Sequence, residues 1–86
     1  EAALVQTLAV TRDAIDKFHG DTGRYPRDLD ELVSGRYLRA LPVDPIIERR
    51  DGWTLLAPPE GMGNGVWDVH SSAPGRSRDG QLFSEL

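Results

Sequence analysis

The first nineteen residues carry apolar side chains at helical spacing. The intervals of four, three, four and three residues place them on one stripe of a helix with 3.6 residues per turn. The positions that form the stripe are Leu4, Leu8, Thr11, Ile15 and Phe18. The pattern predicts a long amphipathic helix over residues 1–19, with Gly20 as its C-terminal cap.

This apolar stripe needs a surface to pack against. We expect Ile15 and Phe18 to lie under a sheet formed by the second half of the chain. Two alternatives stay open for Leu4 and Leu8: they pack within the domain, or they extend beyond it and contact neighbouring helices in an assembly. The second alternative makes them candidates for assembly contacts.

The segment after the helix is rich in turn-forming residues. Asp28 is a suitable N-cap, and Glu31 three residues later completes a capping-box pattern, which predicts a short helix that ends at Gly35. Pro42 and Pro45 then favour an extended and rigid passage.

The second half of the chain has the patterns of short strands. Residues 53–57 and 66–70 are predicted strands, separated by a loop of prolines and glycines. Alternation in the second strand predicts that Trp67 and Val69 face the core. Residues 82–83 are predicted to form a last short strand.

These elements indicate an α+β fold in which a long N-terminal helix packs against a small antiparallel sheet. A single domain spans residues 1–86. Its parts are the long helix over 1–19, a connecting region with a short helix over 20–52, and a β-meander with a C-terminal loop over 53–86. No linker long enough to divide the chain interrupts them.

Composition excludes several classes of site. The 86 residues include no cysteine, which removes thiolate catalysis and cysteine-ligated zinc. Ten basic and fourteen acidic residues give a net charge of −4, which argues against nucleic acid as a partner. The sequence contains no apolar stretch of the ~20 residues that a membrane-spanning helix needs.

One group of residues has the side-chain types of a hydrolase triad: Asp68, His70 and Ser71. Neighbouring residues on a strand face opposite sides, and no nucleophile-elbow motif accompanies them. We therefore interpret the three as surface polar residues, assign no catalytic residue and expect no enzyme activity. A small hydrolase is kept as an alternative.

An ordered set of motifs resembles the pseudopilins of bacterial type II secretion, most closely the major or G-type pseudopilin. The resemblance covers essentially the whole chain. Its motifs are Gly-Arg-Tyr-Pro at 23–26, Leu-Asp-Glu-Leu-Val at 29–33, Gly-Arg-Tyr-Leu at 35–38, Leu-Pro-Val-Asp-Pro at 41–45, Val-Trp-Asp-Val-His-Ser at 66–71, Asp-Gly at 79–80 and Phe-Ser at 83–84.

The resemblance implies a structural subunit of the pseudopilus, a periplasmic filament that helps to push folded exoproteins through an outer-membrane channel. Its implied partners are copies of itself, other pseudopilins and inner-membrane secretion components. It also implies a single membrane-spanning segment of the inner membrane that continues into the predicted helix. Because the chain begins at Glu1 inside that helix, without Met or an N-cap, we expect this segment to precede it.

G-type pseudopilins usually bind calcium in an acidic loop after the second strand. The corresponding loop here offers Asp79 with Ser71 and Ser72 as weak calcium candidates, while Arg76 and Arg78 repel a cation. We therefore expect no cofactor. Residues 46–52 also replace the family's usual Trp-Gly-Asn-Pro-type turn. These departures leave a minor pseudopilin or a type IV pilin-like subunit as alternatives.

Two pairs of arginines stand out in an acidic chain, Arg49 with Arg50 and Arg76 with Arg78. They are either solvated loop charges or assembly candidates that form salt bridges to a neighbouring subunit. A membrane-tethered module that binds a periplasmic ligand is a further alternative for the whole chain.

Overall fold

The computed structural model describes residues 2–61 and 63–86. It is an α+β fold with a long N-terminal helix and a two-stranded antiparallel sheet, which confirms the predicted class. In chain order the elements are α1 (Ala2–Thr22), α2 (Leu29–Ser34), β1 (Trp53–Leu56), β2 (Asp68–Ser71) and a 3-10 helix (Phe83–Glu85).

Helix α1 buries the stripe that its sequence predicts. All five stripe positions are buried, together with Ala14. The core lies where α1 packs against β2 and α2. Its buried members are Leu4, Leu8, Ala14, Ile15, Phe18, Tyr25, Leu29, Leu32, Val66 and Val69. None of the helices among residues 2–61 and 63–86 combines the length and the hydropathy that a bilayer span requires.

The end of α1 differs from its prediction. The helix continues past Gly20 to Thr22. The Thr22 hydroxyl donates a hydrogen bond to Phe18 O at 2.7 Å. The amide of Gly23 donates to His19 O at 2.9 Å, and Gly23 has φ +77°. Gly23 therefore ends the helix, because glycine adopts this left-handed conformation without steric cost.

Helix α2 begins where its cap predicts. Asp28 accepts a hydrogen bond from the Glu31 amide at 2.9 Å, and Gly35 follows the last residue of the helix. The second hydrogen bond of the predicted capping box, which the Glu31 side chain accepts, has a different donor. The Glu31 carboxylate accepts from the amide of Arg27 at 2.8 Å, one residue before the cap. Side-chain hydrogen bonds thus satisfy two amides at this helix start.

The two strands are shorter than predicted. Strand β1 ends at Leu56 rather than at residue 57, and β2 covers 68–71 rather than 66–70. In the antiparallel register, Trp53 lies opposite Ser71 and Leu55 lies opposite Val69.

The prediction that Trp67 enters the core is wrong. Trp67 is 40% exposed, whereas Val66 and Val69 are 4% and 0% exposed. The amide of Val66 donates to Pro26 O at 2.7 Å, so this residue is held by the connector before the strand begins. Strand alternation therefore does not extend back to positions 66 and 67.

The predicted C-terminal strand is also wrong. Leu82 forms only an isolated bridge with Arg76, and the 3-10 helix follows and packs against β2. The Arg12 guanidinium donates to Leu86 O at 2.9 Å and to Val69 O at 2.8 Å. These bonds hold the C-terminal residues beside β2 without a third strand.

Gly65 lies where the loop after β1 meets the connector. Its φ is +109°, and a Cβ there would lie 2.7 Å from Pro26 O and 3.0 Å from Tyr25 O. Both contacts are with backbone oxygens, which cannot move aside by a change of rotamer as a side chain can. Gly65 therefore allows the close approach that the Val66–Pro26 hydrogen bond needs.

We expect Gly65→Ala to lower the free energy of unfolding by about 2 kcal/mol more than Gly63→Ala does. Gly63 is a matched control, because its φ is +92° and a Cβ there would meet no atom of the described residues within 4 Å. Urea denaturation of both variants measures the difference. An equal loss of unfolding free energy in the two variants would show that φ strain alone, and not the contact with Pro26, makes glycine necessary at position 65.

Candidate functional site

The first half of α1 has no charged residue over positions 2–11. Its inner side is buried, yet its outer side is also largely apolar, with Val5 50% exposed and Val10 54% exposed. A helix that is apolar on all sides is normally surrounded by other elements. We call the exposed side the outer α1 face; it consists of Ala2, Ala3, Val5, Gln6, Ala9 and Val10.

A groove of about 590 Å³ adjoins the outer α1 face. Gln6 and Val10 belong to both surfaces, and Val43 on the opposite wall is 38% exposed. Arg39 is the charged residue among the described lining residues. The groove is lined by Gln6, Thr7, Val10 and Thr11 from α1 and by Tyr37, Leu38, Arg39, Ala40, Pro42 and Val43 from the connector.

Leu4 and Leu8 do not belong to this exposed surface. They are 0% and 1% exposed and are members of the hydrophobic core. Leu4 and Leu8 therefore pack within the domain, which was the first of the two alternatives for them. Their assignment as candidate assembly contacts is corrected. Sequence analysis missed Val5 and Val10, although the absence of charge over positions 2–11 was a signal for them.

The first predicted arginine pair is engaged within the chain. Arg49 donates to both carboxylate oxygens of Asp51 at 2.8 Å. This side-chain hydrogen bond raises the pKa of Arg49 and lowers the pKa of Asp51. Arg50 donates to Leu41 O at 3.3 Å.

The second pair lies in the C-terminal loop. Arg76 donates to Gly80 O at 2.7 Å, and both Arg76 and Arg78 are exposed. Salt bridges from these arginines to a neighbouring subunit stay a prediction.

The three triad-like residues are divided between the two faces of β2. Asp68 and His70 share a face, with 3.6 Å between Asp68 Oδ2 and His70 Nε2. Ser71 lies on the other face, is completely buried and donates to Asp44 Oδ2. The expected separation is confirmed, but the description of Ser71 as a surface residue is wrong. Its buried hydroxyl is not accessible to a substrate.

Asp68 is held by a residue that sequence analysis did not connect with it. Arg12 Nε donates to Asp68 Oδ1 at 2.7 Å, from the middle of α1. The Asp68 carboxylate also accepts the amide of Val69 at 2.8 Å. The ion pair fixes α1 to the first residue of β2, which is a structural role.

Asp44 is the most deeply buried carboxylate of the described residues, with no exposed surface. It accepts hydrogen bonds from the Ser71 hydroxyl and from the Ile46 amide, the latter at 2.9 Å. Its own amide donates to Arg49 O at 2.8 Å, and its carbonyl accepts from Glu48 N at 2.7 Å. Asp44 therefore closes the turn over residues 44–49 and fastens it to the end of β2.

The calcium candidates do not form a ligand set. The Ser71 hydroxyl is directed to Asp44, and the Ser72 hydroxyl donates to Gly52 O. Asp79 is exposed on the C-terminal loop. No group of three or more histidine, aspartate and glutamate side chains suited to a metal occurs among residues 2–61 and 63–86. These donors fall short of the six to eight oxygens that calcium takes.

Glu31 is the charged centre of the connector. Both of its carboxylate oxygens accept from Arg24 at 2.9 Å, and Oε1 also accepts from the amide of Arg27. These hydrogen bonds, the Arg24 pair first, lower the pKa of Glu31 to about 2. The Arg24 guanidinium also lies 5.0 Å from the centre of the Phe18 ring, so the cluster joins α2 to α1.

No protein-family model matches this chain, and neither a curated protein nor a solved structure does so. The geometry of the described residues and the sequence motifs therefore carry the functional argument.

The pKa of Glu31 predicts a specific dependence of stability on pH. A carboxyl group whose pKa is lower in the folded than in the unfolded state stabilises the fold fully above its unfolded pKa of 4.5. This contribution is lost as the pH falls from about 4.5 to about 2. We expect Glu31→Gln to remove this part of the acid sensitivity, measured by urea denaturation at a series of pH values.

Asp30→Asn is the control, since it removes one negative charge from the same helix. An unchanged pH dependence in Glu31→Gln would contradict the assigned pairing with Arg24.

Proposed function

We propose that the chain is the periplasmic domain of a structural subunit of the type II secretion pseudopilus, of the major or G-type. Such subunits polymerise into a filament that helps to push folded exoproteins through the outer-membrane channel. The observation that carries the proposal is the uncharged first half of α1, with Val5 and Val10 exposed on its outer face.

An apolar helix face of this kind is suited to packing against other helices. Removing apolar surface from water contributes roughly 25 cal/mol per Å², and it needs no specific chemical group. In the proposed filament, the outer α1 face contacts α1 of neighbouring subunits. A membrane-spanning segment that precedes α1 extends the same face into the inner membrane.

The motif residues also support a structural role. Tyr25 and Pro26 are buried, and Pro26 O accepts the amide of Val66. Asp44 closes the turn over residues 44–49. These residues of the pseudopilin-like motifs hold the domain together, which suits a subunit that acts through its contacts.

The proposed partners are copies of the same subunit, other pseudopilins and inner-membrane components of the secretion system. A minor pseudopilin and a type IV pilin-like subunit are the alternatives that use the same helix face. All three share the outer α1 face, so one assembly experiment tests them together.

We expect Val10→Asp, introduced into the full-length protein, to reduce filament assembly at least about tenfold. A charge in an apolar contact costs more than the ~1.4 kcal/mol that corresponds to a factor of ten. Filaments are quantified by shearing and sedimentation from cells that express the secretion genes.

Ala57→Asp is the matched control, because it places the same charge at an exposed position outside α1. The thermal unfolding midpoint of the domain should be the same in both variants. Wild-type assembly of Val10→Asp would contradict the proposal.

A further inference from the structure

Strand β1 has one free edge. Among the described residues the sheet contains only β1 and β2, so β1 has a neighbour on one side alone. Free edges present unpaired amide and carbonyl groups that accept another strand.

The hydrogen-bond pattern shows which groups face outward. The amide of Ser72 donates to Gly52 O at 3.2 Å, immediately before β1. Gly52 and Ser72 are therefore a hydrogen-bonded pair. Hydrogen-bonded and non-hydrogen-bonded pairs alternate along an antiparallel ladder, so Thr54 and His70, two residues further along, are the next hydrogen-bonded pair. The amides and carbonyls of Trp53 and Leu55 therefore point away from β2.

An apolar groove of about 240 Å³ lies beside this edge. Trp53 forms a fixed wall, because its indole Nε1 donates to Pro42 O at 2.8 Å. Leu55 is 43% exposed. Leu29 and Leu41 complete the apolar lining.

The groove has an acidic rim. Three carboxylates and one guanidinium line it: Asp28, Asp30, Asp51 and Arg50. Asp51 is held by Arg49, and Asp28 caps α2. Asp30 is exposed at the start of α2. With Arg49 and Arg50 counted, one negative charge remains in excess, and it favours a cationic group in the ligand.

We propose that the free edge of β1 and its groove bind an extended segment of a partner protein as a third strand. The chemistry requires a peptide with apolar side chains at alternate positions and a Lys or Arg beside them. Backbone hydrogen bonds to Trp53 and Leu55 supply affinity, while the groove and its acidic rim select the side chains. The proposal is independent of filament assembly and goes beyond it.

A second copy of this chain fits the edge less well. Pairing β1 with β1 of another copy would place two acidic rims on the same face of the joined sheet. Each rim carries three carboxylates against the single guanidinium of Arg50, and like net charges in juxtaposition oppose association. A basic segment has no such conflict.

The direct test is amide hydrogen exchange, measured by NMR on the 86-residue chain. The probe is the peptide acetyl-Lys-Val-Thr-Val-Thr-Val-Lys-amide. We expect it to slow exchange at Trp53 and Leu55 at least about tenfold, because each of these outward amides gains a partner. Thr54 already bonds to β2 and should change little. Shifts around the groove without slower exchange at Trp53 and Leu55 would overturn strand addition.

The charge requirement is tested with a peptide in which Glu replaces both Lys residues. We expect its affinity to be lower by about fivefold or more, since it places negative charge beside the acidic rim. Equal binding of the two peptides would overturn the proposed selectivity. Slower exchange at Trp53 and Leu55 with rising protein concentration alone would identify a second copy as the occupant and overturn the proposal.

Two protein variants test the site itself. Leu55→Pro removes an outward amide and leaves the bonds between β1 and β2 intact, so binding should be lost. Asp30→Lys reverses a rim charge without changing the strand, and should weaken binding about fivefold.

Glu60→Lys is the matched control for Asp30→Lys, with the same charge change at an exposed loop position outside the groove. Equal weakening by these two lysine variants would show general charge attraction and overturn the assignment. Unchanged binding by a folded Leu55→Pro variant would do the same.

Discussion

The buried carboxylate of Asp44 is the contact that joins the connecting region to the sheet. A buried carboxylate is costly unless hydrogen bonds satisfy it, and here the Ser71 hydroxyl and the Ile46 amide do so. The turn over residues 44–49 is thereby fixed to the end of β2. Because β1 begins shortly after this turn, with Trp53 opposite Ser71, the same contact sets the start of the sheet. Trp53, at this start of the sheet, also lines the groove beside β1.

Local rules were sufficient for the buried side of α1 and the start of α2, and insufficient for the sheet. The spacing of apolar residues predicted the buried side of α1, and Asp28 predicted the start of α2, because both signals act within a few residues. The position of β2 depends on contacts distant in sequence. Pro26 O accepts the amide of Val66, and Arg12 forms an ion pair with Asp68. Strand alternation carries no information about contacts between residues so far apart in sequence. The prediction from alternation therefore placed Trp67 in the core, where it does not lie.

The candidate assembly surface, the outer α1 face, was also predictable only in part. The sequence contains the signal for it, since positions 2–11 carry no charge on any side of α1. Which side is exposed depends on the folded chain: Leu4 and Leu8 are buried in the core, and Val5 and Val10 remain exposed. The motifs supplied the proposal of a secretion filament subunit. The structure adds a surface on which that subunit would form its contacts.

In the proposed filament, α1 continues into an apolar segment and packs with other helices. The most direct measurement is to sequence the gene immediately upstream of the codon for Glu1. We expect about 20 apolar codons, enough for a membrane-spanning helix, that begin after a Gly-Phe-Thr-Leu-type cleavage site with a Glu nearby. A start codon directly before Glu1, or a cleavable secretory signal, would contradict it.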